Sequence, residues 1–170
     1  RSNLRFLTEK GDEKCILITS STSGEGKSFI SINLALSFAF LGCRVLIVGL
    51  DIRRPRLAEH FHIQNRQGIT NFLAGNEVKP ESIIYPSGVH ELLSVVPSGP
   101  VPPNPAELLE RERLKDAFTY FRKHFDYIIV DSAPTGLASD TLSLSKVTDF
   151  TLYVCRINYT YKNVLPEIVN

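Results

Sequence analysis

An eight-residue segment, Ser21-Thr22-Ser23-Gly24-Glu25-Gly26-Lys27-Ser28, lies between an apolar run and an apolar helical pattern. Cys15 to Thr19 reads as a short buried strand, and Phe29 to Leu41 as the helix it feeds. Glycines at 24 and 26 let the backbone curl until several N–H groups converge on one anion, and the helix N-terminus behind them adds partial positive charge. In a loop of this kind Lys27 reaches the β- and γ-phosphates of a nucleotide, and the Ser28 hydroxyl binds Mg²⁺. Ser23, Gly24, Glu25, Gly26, Lys27, Ser28 and Phe29 are therefore expected to line the phosphates, with ATP and Mg²⁺ as ligands. The usual pattern opens on Gly, where this chain has Ser21. The Glu25 side chain is expected in solvent. A Ser/Gly-rich turn with a chance Lys is the plainer account, and a strand before, a helix after and Gly-Lys-Ser between them weaken it.

Further apolar runs alternate with helical patterns, as in a mainly parallel α/β sheet. Arg44–Val48, Leu92–Val96, Phe125–Val130 and Phe150–Cys155 are the next expected strands, each apolar enough for burial on both faces. Gly42 closes the first helix. Short helical pieces are expected around Arg56–Phe61, Ile69–Leu73 and Pro80–Ile84. Pro97 to Pro105 holds five prolines in nine residues. Its place just before an expected helix, Ala106 to Lys123, favours a rigid ordered loop over a polyproline ligand. The expected architecture is a three-layer sandwich of the P-loop NTPase type, a mainly parallel sheet flanked by helices, forming one domain over residues 1–170.

Composition narrows the function. At 43% hydrophobic and 22% charged, the chain has the make-up of a globular domain. Nineteen basic against eighteen acidic side chains give a net charge of +1, which offers no footprint for nucleic acid. No apolar run approaches the ~20 residues of a membrane helix. Three scattered cysteines, Cys15, Cys43 and Cys155, point to a reducing compartment without a disulfide framework. The chain contains no Met, which predicts a piece of a longer polypeptide.

Two acids complete the expected site. Asp131 ends the strand-like run Tyr127-Ile128-Ile129-Val130, and Asp51 follows Leu46-Ile47-Val48-Gly49-Leu50. Ligands of open α/β sheets bind at the carboxyl ends of strands, and a nucleotide site needs carboxylates for Mg²⁺ and for the attacking group. Ser28, Asp51 and Asp131 are the expected metal ligands, Lys27 and Asp51 the expected catalytic pair. His60 and His62 point apart on a helix and are expected at the surface. Glu107 suits a helix first turn. Asp140 is a candidate cap, and Lys10 and Lys14 read as surface lysines. Tyr159 and Tyr161 are expected in a solvated loop.

The segment Val45 to Pro55, with Asp51-Ile52-Arg53-Arg54-Pro55 at its end, resembles the second Walker-type motif of the bacterial tyrosine kinases. Pro102-Pro103-Asn104-Pro105-Ala106-Glu107-Leu108-Leu109, Asp131-Ser132-Ala133-Pro134 and the N-terminal Arg1-Ser2-Asn3-Leu4-Arg5-Phe6 are similar to further motifs of that family, in the same order. The resemblance implies transfer of the ATP γ-phosphoryl to tyrosines, largely in the protein's own C-terminal cluster. It also implies a membrane-anchored activator, a ring-like homo-oligomer, a role in exopolysaccharide or capsule production, and a place on the cytoplasmic side of the bacterial inner membrane. One position departs: the first Asp of the family's Asp-x-Asp is Gly49 here. That leaves open a nucleotide-dependent regulatory or assembly module with little kinase activity. A partition-type ATPase would carry an extra Lys where this chain has Thr22.

Overall fold

A computed structural model describes residues 14–64, 67–75, 77–134 and 143–161. The N-terminal motif from Arg1 to Phe6, Lys10 and Asp140 lie outside the described residues.

Among the described residues five strands run parallel: β1 (Cys15–Ser20), β2 (Val45–Leu50), β4 (Leu93–Val96), β5 (Tyr127–Ser132) and β6 (Phe150–Val154). A two-residue strand, β3 (Tyr85–Pro86), pairs antiparallel with β4 at one edge. The order across the sheet is β3-β4-β2-β5-β1-β6. That order lays the carboxyl ends of β2, β5 and β1 side by side, and each leads into one part of the expected site.

Strand residues alternate between two apolar layers. On one face Ile16, Ile18, Val45, Ile47 and Ile129 pack against Ala35, Phe38 and Ala39 of α1 (Lys27–Ala39) and against Leu57 of α2 (Leu57–His60). On the other, Leu17, Leu46, Val48, Leu50 and Val130 meet α3 (Ile69–Ala74), α4 (Pro105–Leu109) and α5 (Arg113–His124). The three-layer sandwich is therefore the observed fold. Helix α1 buries Lys27, Ser31, Ala35, Phe38 and Ala39, a single stripe at helical spacing. Its small residues at 31 and 35 admit the helix close to the sheet. Gly42, at φ 86°, ends the helix as expected, its N–H donating to the Ala39 carbonyl at 2.9 Å.

Three expectations change. The single helix from Ala106 to Lys123 is two, α4 and α5, broken at residues 110–112. Nothing in that stretch breaks a helix by propensity; the break serves α3. Arg113 donates to the carbonyls of Phe72 (2.8 Å) and Gly75 (3.0 Å), and Arg111 to that of Leu73 (3.3 Å). Carbonyls at a helix end lack partners within the helix, and these two arginines supply them. Among the described residues strand β6 is at an edge of the sheet, half-exposed rather than buried on both faces. Cys155, just after it, is exposed, whereas Cys15 is in the core.

The sheet is fastened at its amino ends by carboxylates. Asp149 accepts from the N–H groups of Lys14 (2.7 Å) and Cys15 (2.8 Å) and from both terminal nitrogens of Arg122 (2.9 and 2.8 Å). Burial alone would raise its pKa, but the Arg122 fork and the two N–H groups outweigh that and hold it below the ordinary carboxylate range. A lowered pKa means that the stabilisation is present above the unfolded-state value, near 3.9, and is lost as pH falls through the folded one. Asp149→Ala is expected to cost about 1.5–3 kcal/mol at neutral pH. In urea titrations the gap from wild type should narrow as pH is brought below about 4.

Candidate functional site

The phosphate-loop segment runs from the end of β1 into α1. Gly24 (φ 89°) and Gly26 (φ 98°) occupy the left-handed region that the curl requires. Gly26 is also the N-cap of α1, so the loop N–H groups and the helix terminus face one concavity. A Cβ at Gly24 would also lie 2.9 Å from the Tyr159 hydroxyl and displace it. Lys27 is the first helical residue and is buried. Phe29 directs its ring outward, at 68% exposure.

Ser21 and Glu25 stabilise the loop from within. The Glu25 side chain is buried, not solvated as expected from its position. It accepts hydrogen bonds from the Ser21 hydroxyl (2.8 Å), the Thr22 N–H (2.8 Å) and the Thr160 hydroxyl. Burial opposes its ionisation, yet the Thr160, Thr22, Ser21 and Ser20 donors prevail and lower its pKa. Ser21 thus has a function where the common pattern has Gly: its hydroxyl closes a turn onto Glu25.

Asp131 lies at the carboxyl end of β5, between Ile18 of β1 and Gly49 of β2. Its side chain is 4% exposed and accepts from Ser28 Oγ at 2.7 Å and Ser31 Oγ at 3.2 Å. Burial pushes its pKa above the ordinary carboxylate range; Ser28, the Lys27 charge and Ser31 oppose the push, and Asp51 adds to it. An inserted cation reverses that balance. Asp51 follows β2, its N–H donating to the Asp131 carbonyl (3.1 Å) and its carboxylate accepting the Arg54 N–H (3.0 Å). Ser28 Oγ and the two carboxylates are hard oxygen donors of the kind Mg²⁺ takes, with water and phosphate oxygens filling the rest of its shell. Among the described residues no cluster of three or more His, Cys, Asp or Glu forms a ligand set of another type.

A cavity of about 260 Å³ opens beside these groups, lined by Ser23, Asp51, Arg53, Arg54, Arg56, Ala133 and Pro134. It falls below the roughly 300–1,000 Å³ of whole-ligand pockets, so it suits one part of a ligand. His60 and His62 are exposed, and Glu107 is in the first turn of α4.

Gly49 points to the same face as Asp131, its register partner. The space an Asp side chain would need is filled: a Cβ there meets Ser98 Oγ at 2.9 Å and Leu57 Cδ2 at 3.2 Å. Ser98 is itself held, donating to the Gly49 carbonyl at 2.8 Å.

Residues 13–155 match the family model described as an AAA domain. The chain is 35% identical over 168 residues to the tyrosine-protein kinase CpsD of Streptococcus agalactiae, covering 98% of this chain and 71% of that protein. The family follows from this relationship. The chain belongs to the bacterial tyrosine kinases. It is also 32% identical to the putative tyrosine-protein kinase CapB of Staphylococcus aureus, over 86% of this chain and 64% of that one. The kinase domain of the Escherichia coli tyrosine kinase Etk superposes with a TM-score of 0.92 at 29% identity, covering 99% of this chain and 66% of that chain. The chain thus spans about two thirds of CapB and of the Etk domain. A septum site-determining protein MinD from Pyrococcus horikoshii, complexed with Mg-ADP, shares the fold at TM-score 0.70 and 24% identity. No helix among the described residues of this tyrosine-kinase family member is long and apolar enough to cross a membrane.

Two outcomes are expected from the site. Asp131→Asn removes a carboxylate whose raised pKa makes the fold lose stability as pH climbs above the ordinary carboxylate range. The nucleotide-free variant should therefore melt higher than wild type at pH 7, and calorimetry should find Mg²⁺-dependent nucleotide affinity down about tenfold or more. Gly49→Asp should cost about 1–3 kcal/mol by overpacking. In a Leu57→Ala background the same change should cost less, as a double-mutant cycle in urea will show.

Proposed function

We propose that this chain is the ATP-binding catalytic domain of a tyrosine (auto)kinase, transferring the γ-phosphoryl of ATP to tyrosine hydroxyls. The observation that carries the proposal is the Ser28–Asp131 pair at the mouth of a Gly24/Gly26 loop, in a chain akin to tyrosine kinases along nearly its whole length. Phosphoryl transfer needs positioning and charge neutralisation more than covalent chemistry. The loop N–H groups hold the phosphates, and Lys27 neutralises charge on the β- and γ-phosphates. Asp51, beside the cavity, orients the acceptor hydroxyl and takes its proton. Ser28, Asp131 and Asp51 would hold Mg²⁺, which would supply further charge neutralisation on the phosphates.

The wider setting follows the family resemblance. Residues 1–170 form one nucleotide-binding domain of a longer protein. It works on the cytoplasmic side of the bacterial inner membrane with a membrane-anchored activator, self-associates into a ring-like homo-oligomer, and serves exopolysaccharide or capsule production.

A second reading, a nucleotide-dependent regulatory module with weak or no transfer, is favoured by one observation: Leu57 and Ser98 close the space beside Gly49. One assay separates the two. The full-length protein with its activator is supplied with γ-labelled ATP and Mg²⁺, and phosphotyrosine is measured. The kinase reading expects label on tyrosine, reduced at least about a hundredfold, some 2.7 kcal/mol, in Lys27→Ala. Nucleotide binding without any transfer would leave the regulatory module.

A further inference from the structure

The turn that follows β6 is tied to the phosphate loop by three side chains. Tyr159 donates its hydroxyl to the Ser23 carbonyl at 2.9 Å, Arg156 Nη1 donates to the Gly24 carbonyl at 3.0 Å, and Thr160 Oγ1 donates to Glu25. The turn is also closed on itself. The Tyr159 and Thr160 N–H groups reach the Arg156 carbonyl, the Arg156 N–H reaches Thr160 Oγ1, and the Arg156 guanidinium lies 5.0 Å over the Tyr159 ring. Tyr159 stands in an exposed turn, as expected, at 46% exposure, and its hydroxyl is bonded to the phosphate loop.

The carbonyls involved give the contacts their meaning. In a planar trans peptide, C=O and N–H point to opposite sides. Holding the Ser23 and Gly24 carbonyls against the turn therefore aims the Gly24 and Glu25 N–H groups the other way. Glycine at 24 would otherwise leave both peptide planes nearly free to rotate. We propose that Tyr159, Arg156 and Thr160 are positioning residues: Tyr159 and Arg156 set these two peptide planes and Thr160 fixes the Glu25 carboxylate that closes the loop on itself, so that the loop presents its amides to nucleotide phosphates already oriented. The proposal rests on the nucleotide-site reading above and adds to it a determinant more than 130 residues away in sequence.

Tyr159→Phe and Thr160→Val each delete one hydroxyl and keep the shape. In the full-length protein, calorimetric titration with Mg-ADP should show Kd raised about fivefold by each, the worth of one hydrogen bond. Thr160→Ser should restore wild-type affinity. A merely structural brace predicts lower melting temperatures with Kd within about twofold of wild type, and that result overturns the proposal. Failure of the wild type to bind Mg-ADP would instead overturn the nucleotide site itself, and the positioning role with it.

Discussion

The hydrogen bonds from Ser28 and Ser31 to the Asp131 carboxylate hold the phosphate loop against the sheet. They join the first turns of α1 to the carboxyl end of β5, and Asp131 is buried where an unpartnered charge is expensive. The two hydroxyls make that charge tolerable without neutralising it. Burial still pushes the pKa up, and Lys27 is the nearby positive charge that opposes it. A site of this kind has unspent electrostatic demand. On the nucleotide-site reading it would be met by a divalent cation bound with the phosphates, and the stability forgone in the empty protein would become binding energy in the loaded one.

The sheet order explains why this demand is focused on one point. With β5 between β1 and β2, Ile18, Asp131 and Gly49 stand in register, and the loops after all three strands open on the same edge. Asp51 is held there by its backbone, through its N–H to the Asp131 carbonyl, against the repulsion between the two carboxylates. Gly49 is where the arrangement departs from the two-acid pattern that the sequence resemblance implies. The position is filled by Leu57 and by the Ser98 hydroxyl, so the strand end is closed where a second carboxylate would stand. On the kinase reading acid–base work at this edge would fall to Asp51, and that is the physical content of the two competing functional readings.

Much of the fold was legible because parallel strands buried on both faces are continuous apolar runs. β1, β2, β4 and β5 stand within about two residues of where periodicity puts them, the ordinary slack of element ends. The loop, Asp51 and Asp131 were legible because chain direction and strand ends restrict where a ligand can bind. What escaped was non-local. The break between α4 and α5 is made by Arg111 and Arg113 turning to the carbonyls that end α3. β3 is two residues long and carries no pattern. Glu25 looked like a solvent residue because its partners, Ser21, Thr22 and Thr160, come together only in the folded loop.

Glu25 shows how a short motif can depend on a distant part of the chain. The eight residues from Ser21 to Ser28 contain the glycines that permit the curl, but permission is not specification, since a residue free to adopt positive φ is free to adopt others. The shape is over-determined from three sides: Asp131 of β5 holds the helix end, Ser21 and Thr22 close on Glu25 from inside, and Thr160 reaches Glu25 from the turn after β6. β1 is hydrogen-bonded to β5 on one side and β6 on the other, so both outside anchors are carried by its immediate neighbours. Sheet pairing and loop geometry are therefore one constraint. A shift of β6 against β1 would move the Thr160 anchor away from Glu25 and slacken the phosphate loop, with every loop residue unchanged.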